Sequence, residues 1–162
     1  MFKRNISIVS FIFLSICIIY CSINYNTSTL MFPLQIKYVL TSGYGFRTFN
    51  NAFHHGIDCA VLENTPVYAM NNGTVTFSGF DASGGNMLII QYDNGFKSMY
   101  CHLASNFVFT VGDKVSKGIV VGYVGPKYLE NGKLNGNTTG VHLHFGLYKD
   151  GKSIDPLSIQ YE

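Results

Sequence analysis

Residues 141–148 read Val-His-Leu-His-Phe-Gly-Leu-Tyr, an alternation of apolar residues with polar or small ones. Successive side chains of a β-strand point to opposite faces, so the four odd-numbered residues would form one wholly apolar face. His142 and His144 would then lie side by side on the other face, together with Gly146 and Tyr148. Such a pair is either two solvated surface histidines or part of a metal site.

Turn-forming sequences recur through most of the chain and predict an all-β antiparallel fold. They occur at residues 71–73, 81–85, 93–95, 112–114 and 149–151. Runs that are rich in Val and Ile, or that alternate, lie between them at residues 66–70, 74–80, 86–92, 96–102, 119–124 and 141–148. Short strands joined by such turns are typical of antiparallel β domains. We expect no amphipathic helix after residue 30 and a long loop at residues 125–140.

A second histidine motif reads His54-His55-Gly56-Ile57-Asp58. His54 and Asp58 are four positions apart, so both side chains can face the same way, opposite an apolar face of Ile57, Cys59 and Val61. Gly56 leaves room for a metal ion or a substrate to approach the backbone. We expect His55 to be exposed, because alternation puts it opposite His54.

The third motif, Tyr100-Cys101-His102-Leu103, is weaker by itself, because one histidine at a strand end is commonly plain polar surface. Alternation puts Met99 and Cys101 on one face and Ser98, Tyr100 and His102 on the other. Cys59 and Cys101 are both expected on the packed side. There they would either pair across adjacent strands or remain buried free thiols.

Together the motifs favour an open, catalytic zinc site over a structural one. Two histidines and a carboxylate leave a fourth position for water, whereas structural zinc sites have four protein ligands, commonly cysteines. Both cysteines of the domain are expected to face away from the histidines. Glu63, Glu130 and Glu162 lie outside the metal-binding motifs, so a histidine that does not bind the metal is the candidate general base.

Length and charge limit the other possibilities. The chain has 162 residues, which fits one domain, and a net charge of only +2. Its Lys and Arg residues are scattered, so nothing in the charge pattern points to a nucleic acid partner.

The first part of the chain has a different character. Lys3 and Arg4 precede an apolar run at residues 6–23, and no charged residue occurs between Arg4 and Lys37. A membrane-spanning helix needs roughly 17–25 apolar residues, whereas a signal peptide needs small residues before its cleavage site, which are missing here. We therefore expect a membrane anchor or signal peptide at residues 1–23, a linker leading into the domain at residues 24–40, and the domain itself at residues 41–162. In either case the domain lies outside the cytoplasm, on the outer face of the membrane or secreted.

The three motifs, in this order, resemble those of the lysostaphin-type (LytM-type) zinc metallopeptidases. Residues 53–58 followed by 63–69 resemble the first zinc motif of that family, and Tyr100-Cys101-His102-Leu103 resembles its Tyr-Ala-His-Leu. Residues 139–145, Thr-Gly-Val-His-Leu-His-Phe, resemble its Thr-Gly-Pro-His-Leu-His-Phe. The opening Ser-Gly-Tyr-Gly-Phe-Arg at residues 42–47 and the closing Gly151, Asp155 and Pro156 also match.

The resemblance implies a compact antiparallel β domain with a groove that holds one zinc ion. By it, His54, Asp58 and His144 would bind the metal, and His102 and His142 would be catalytic, in roles that the sequence does not distinguish. The implied activity is hydrolysis of peptide bonds in peptidoglycan, at cross-bridges or stem peptides. The alternative is an inactive metal-binding domain that docks on other envelope proteins or wall hydrolases. Residues 126–137 are longer than the family's usual turn and are expected to border the groove.

Overall fold

The computed structural model describes residues 29–162, which form twelve short strands and one 3-10 turn. The turn spans Pro156–Ser158. The strands are β1 (Val39–Ser42), β2 (Gly45–Arg47), β3 (Ala52–His54), β4 (Ile57–Ala60), β5 (Pro66–Tyr68), β6 (Gly73–Asp81), β7 (Gly85–Tyr92), β8 (Phe96–Cys101), β9 (Lys114–Val115), β10 (Val120–Tyr123), β11 (Leu143–Lys149) and β12 (Lys152–Ile154).

One antiparallel sheet of eight strands dominates the fold. Its order is β1-β4-β11-β8-β7-β6-β9, and β12 pairs with β11 as a hairpin. Two small antiparallel pairs, β10-β5 and β2-β3, complete the architecture. The expectation of an all-β antiparallel domain is confirmed for residues 29–162.

The turns form where the sequence supplies the necessary chemistry. Between β6 and β7, Asp81 Oδ1 accepts hydrogen bonds from the backbone N–H groups of Ser83 and Gly84, at 2.8 and 3.0 Å. Gly85 then has φ +68°, a conformation that glycine adopts readily. These contacts close the hairpin that carries one wall of the site.

The core lies on one face of the large sheet and is closed by the residues that precede β1. Ile57, Tyr100, Phe145 and Leu147 are fully buried in it, and Leu30 and Leu34 pack against the same cluster. Burial of side chains of this size stabilises the fold by about 1.5–3 kcal/mol each. The opposite face of the sheet is thereby left to carry the polar groups of the site.

The predicted strands agree with the observed ones to within about two residues. Residues 125–140 contain no strand, as predicted, apart from an isolated bridge between Tyr128 and Leu134. The apolar segment at residues 1–23 lies outside the described residues, as does the first part of the predicted linker. Within residues 29–162 the structure contains no helix long and apolar enough to cross a bilayer.

Candidate metal centre

β11 assembles the site because it lies between two strands that come much earlier in the chain. His144 is opposite Asp58 of β4 on one side and opposite Cys101 of β8 on the other. β3 ends at His54 and β4 begins at Ile57, so residues 55–56 interrupt the extended conformation between the two strands. His54 and Asp58 therefore face each other from two different strands, and not from one continuous strand as their spacing had suggested.

The nitrogen and oxygen atoms of His54, Asp58 and His144 converge on one point. His54 Nε2 lies 3.0 Å from His144 Nδ1 and 3.2 Å from Asp58 Oδ1, and His144 Nδ1 lies 2.8 Å from the same oxygen. Ligands about 2.1 Å from a tetrahedral zinc ion are about 3.4 Å from one another. The three atoms are thus slightly closer together than zinc ligands, and the two imidazoles and carboxylate are donors that zinc accepts.

A backbone carbonyl fixes the position of the proton on the His54 imidazole. His54 Nδ1 donates to the carbonyl oxygen of Gly43 at 2.7 Å, which leaves the lone pair of Nε2 directed at the convergence point. A second hydrogen bond of this kind orients a metal-binding histidine and raises its basicity.

The Asp58 carboxyl remains ionised at this site. Burial tends to raise its pKa, but the interactions of the carboxylate with the His144 and His54 imidazoles hold the pKa well below its usual range. Arg47 also reaches this carboxylate, with Nη2 at 2.5 Å from Oδ2. The site therefore presents a negative oxygen that can serve as a metal ligand.

His142 and His102 lie beside the three converging residues, with their ring centroids 4.7 Å apart. His142 Nδ1 donates to the carbonyl oxygen of Gly140 at 2.9 Å, and its Nε2 lies 3.7 Å from Asp58 Oδ1. His102 Nδ1 donates to the carbonyl oxygen of Asn135 at 2.6 Å. Because each Nδ1 carries a proton, each neutral ring has a basic Nε2.

His102 reaches the groove by a route that strand alternation does not predict. Ser98 and Tyr100 are fully buried in the core, so a continued strand would have directed His102 into the core as well. β8 ends at Cys101, and His102 has φ +60°, in the left-handed region. That turn brings its side chain to the other face of the sheet. Burial lowers the pKa of His102 to about 4, with the Asn135 hydrogen bond opposing the shift.

Both cysteines were predicted on the packed side of the sheet, and for Cys101 this prediction was wrong. Cys59 is buried in the core, but Cys101 lies on the groove face, beside His102 and Met99. β11 separates their strands, so their backbones are about 9–10 Å apart, beyond the ~7 Å reach of a disulfide. Both are free thiols, and burial raises the pKa of each to about 12.

All five predicted site residues line one groove of about 660 Å³. Exposed Phe49 and Phe53, on the β2–β3 hairpin, form part of one wall, and Ser83, Gly84 and Asn137 lie along other parts of it. His55 is exposed, as predicted, and its Nδ1 lies 2.8 Å from Ser153 Oγ at the edge of the groove.

Two supporting residues were missed by the sequence reasoning. In the sequence, Arg47 stands out only as part of the segment at residues 42–47 that matches the family, and Asn135 only as part of the predicted loop. Asn135 is fully buried and its side chain bonds the backbone of Asn86, Leu103 and Pro126. The long loop is thus attached to the site by a buried amide, and the spacing of polar residues in the sequence offers no signal for it.

The arrangement combines three converging ligand atoms with two further imidazoles, those of His102 and His142, at an open groove. Imidazoles of this kind are suited to moving a proton to or from a group that lies in the groove.

Gly56 allows the turn before β4 to pack closely against β11, because a β-carbon at this position would lie 2.5 Å from the Phe145 carbonyl oxygen.

Several curated proteins are similar to this chain over part of their length. The DD-carboxypeptidase/endopeptidase Mpg of Neisseria meningitidis serogroup B is 36% identical over 106 residues, which cover 65% of this chain and 22% of that protein. The glycyl-glycine endopeptidase ALE-1 of Staphylococcus capitis is 32% identical over 109 residues, 64% of this chain and 28% of the relative. The chain therefore spans less than a third of the length of either relative.

Solved structures share the fold over most of the described residues. The catalytic domain of the antimicrobial peptidase lysostaphin from Staphylococcus simulans is 28% identical, with a TM-score of 0.62, covering 75% of this chain and 90% of that one. A zinc-containing peptidase from Vibrio cholerae has a TM-score of 0.69 at 24% identity, over 83% of this chain and 41% of that one, and shows the fold alone. The family model described as Peptidase family M23 matches residues 52–156, the segment that contains all five site residues. By this match the chain belongs to peptidase family M23.

Proposed function

We propose that this protein is a zinc-dependent metalloendopeptidase that hydrolyses peptide bonds in peptidoglycan, at cross-bridges or stem peptides. The observation that carries the proposal is the convergence of His54, Asp58 and His144, whose ligand atoms all lie within 4.8 Å of one another at an open groove. Relatives named as peptidoglycan DD-endopeptidases support the substrate class; one is ShyA of Vibrio cholerae, 30% identical over 131 residues.

In this proposal His54, Asp58 and His144 hold one zinc ion. Zinc supplies Lewis acidity, which polarises a carbonyl group and makes water more acidic. The remaining chemistry belongs to side chains of the protein.

His102 and His142 are the proton-handling residues of the proposed reaction. Both present Nε2 as the basic atom, because each Nδ1 donates to a backbone carbonyl. One of them accepts a proton from the attacking water, and the other stabilises the developing oxyanion or donates a proton to the leaving amine. Acid–base assistance of this kind accelerates such reactions by about 10²–10⁴-fold.

The test of catalysis is digestion of purified peptidoglycan by the zinc-loaded, full-length protein, with mass spectrometry of the new peptide termini. We expect new amino and carboxyl termini at one kind of bond, which the masses identify. Protein with His144→Ala should give none. Correctly metallated wild-type protein that produces no new termini would instead support an inactive domain that docks on other envelope proteins or wall hydrolases.

The placement of the enzyme is also proposed. Residues 1–23 would anchor the chain in the membrane or direct its export, residues 24–40 would lead into the domain, and residues 41–162 would act outside the cytoplasm. Extraction of cell membranes with alkaline carbonate checks this, because an anchored chain stays with the lipid and a cleaved one does not.

A further inference from the structure

Arg47 is a cation in direct contact with Asp58, one of the three converging residues, and the proposed reaction leaves it without a role. It ends β2 and lies two positions from Gly45, which is paired with His54 on β3. Alternation therefore puts Arg47 on the same face of the hairpin as His54. The hairpin that presents one metal-binding histidine thus also presents this guanidinium.

The guanidinium is held in a defined position between two strands. Nη2 contacts Asp58 Oδ2 at 2.5 Å, and Nε donates to Ser42 Oγ at 2.9 Å. Ser42 is itself the cross-strand partner of Asp58 on β1. The side chains of Arg47 and Asp58 are only 21% and 15% exposed, so solvent screens this pair less than it would a surface ion pair.

The two oxygens of Asp58 consequently have separate partners. Oδ1 lies 2.8 Å from His144 Nδ1 and 3.2 Å from His54 Nε2, whereas Oδ2 is engaged by Arg47. A carboxylate held by one oxygen cannot rotate freely about its terminal bond, so the other oxygen stays directed at the imidazoles. Partners of this kind, which hold a metal ligand without touching the metal, commonly affect metal affinity.

We propose that Arg47, oriented by Ser42, is a positioning residue that fixes Asp58 as a ligand and thereby sets the affinity of the site for zinc. The inference rests on the metal site of the proposed function but does not depend on catalysis. Arginine is suited to the task because its planar fork can contact Ser42 and Asp58 at once, whereas the ammonium of lysine is a single point of charge.

Zinc affinity of the full-length protein, measured without substrate by competition with a chromophoric chelator, tests the proposal. We expect Arg47→Gln to weaken zinc binding by about 10–100-fold and Arg47→Lys to weaken it less, because the charge remains. Ser42→Ala should cause a loss of about threefold to tenfold, as expected for one hydrogen bond. Lys114→Gln is the matched control, because its ammonium donates to Thr74 Oγ1 on the opposite edge of the sheet.

A purely structural role for Arg47 predicts a different pattern. In that case the variants would unfold more easily but would bind zinc as tightly as the wild type, and the cobalt-substituted proteins would have the same visible absorption spectrum. We expect instead that the spectrum of Arg47→Gln changes while that of Lys114→Gln does not. Should Arg47→Gln fail to fold, Arg47→Lys and Ser42→Ala provide the same comparison.

The outcomes separate this inference from the proposed function. Equal zinc affinity of wild type, Arg47→Gln and Arg47→Lys overturns the role of Arg47 and leaves the peptidase proposal intact. Weakened binding in these variants supports the role even if no peptide is ever cleaved. A wild-type protein that binds no zinc overturns both.

Discussion

Gly56 lies against the ring of His144, so that a β-carbon at position 56 would stand 2.9 Å from His144 Cε1. The same β-carbon would lie 2.5 Å from the carbonyl oxygen of Phe145. The sequence had suggested that this glycine makes room for a metal or a substrate, but the space is used by the protein itself. The glycine allows β11 and the turn before β4 to approach closely enough to bring His144 beside Asp58.

Replacing Gly56 by alanine should therefore disturb both stability and the site. We expect Gly56→Ala to lower the free energy of unfolding by about 1–3 kcal/mol, as overpacking does, and to weaken zinc binding. Urea denaturation and chelator competition measure the two effects. Gly43→Ala is the control, because a β-carbon at Gly43 meets nothing within 4 Å. Equal stability of the two variants would contradict the proposed contact.

Alanine at either predicted histidine ligand should abolish stoichiometric zinc binding. His54→Ala and His144→Ala each remove one of three converging donors, and the metal content of the purified proteins should fall well below one ion per chain. His55→Ala is the matched control, because His55 is exposed and bonded to Ser153. Zinc retained at one ion per chain in either ligand variant means that the assignment is wrong.

The buried His102 should make the metal-stripped protein sensitive to acid. The ordinary pKa of its imidazole is 6.5, and burial lowers it to about 4 in the folded state. Between these values the unfolded chain binds a proton that the folded chain does not, so stability falls as the pH falls. The largest slope is about 1.4 kcal/mol per pH unit.

This contribution can be isolated by comparing two proteins. His102→Gln removes the titrating group, so its free energy of unfolding should depend less steeply on pH between about 4 and 6.5. Urea denaturation of both proteins across this range, in the presence of a chelator, supplies the measurement. If the free energy of unfolding depends on pH equally steeply in the wild type and in His102→Gln, the buried His102 is not the source of the acid sensitivity.

Asn135 should be the most sensitive position in the long loop. Its Nδ2 donates to the carbonyl oxygens of Leu103 at 2.9 Å and Pro126 at 3.2 Å. Asn135→Asp replaces that donor by an acceptor that faces two carbonyls in a fully buried place. We expect a loss of about 3 kcal/mol in urea denaturation, together with a slower reaction, because the same residue holds His102.

Asn131→Asp is the control for the loop. Asn131 is exposed and its Oδ1 accepts from Lys133 N, a hydrogen bond that aspartate preserves. We expect a change within about 0.5 kcal/mol. If the two substitutions have equal effects, the buried amide does not anchor the loop.

The all-β fold could be predicted from the sequence because it follows local rules, whereas the choice of His54, Asp58 and His144 as metal ligands rested on the resemblance to a known family. The alternation at residues 143–147 puts Leu143, Phe145 and Leu147 in the core and His144 opposite them, as observed. Turn chemistry located the strand ends for the same reason.

The remaining features depend on tertiary contacts that no local rule encodes. Left-handed backbone at a histidine is uncommon, so alternation put Tyr100 and His102 together and Cys101 on the packed side. In the structure, β8 ends at Cys101, so Tyr100 lies in the core while Cys101 and His102 line the groove. The pairing of β11 with both β4 and β8 also could not be inferred. It places a strand between Cys59 and Cys101, so of the two alternatives for these cysteines the structure has the buried free thiols. Asn135 acts through Asn86 and Leu103, which are far away in the sequence, and Arg47 acts through Asp58, which lies on a strand of a different sheet.

β11 lies inside the large sheet, between β4 and β8, although among the described strands only β12 follows it along the chain. His54 and His144 are separated by 90 positions, so contacts of high sequence separation must form before their rings can meet. A chain interrupted before residue 144 cannot assemble the three ligand atoms, whatever its earlier hairpins have done. The proposed metal centre can therefore form only after β11 has been synthesised, and zinc uptake would report that synthesis has passed residue 144.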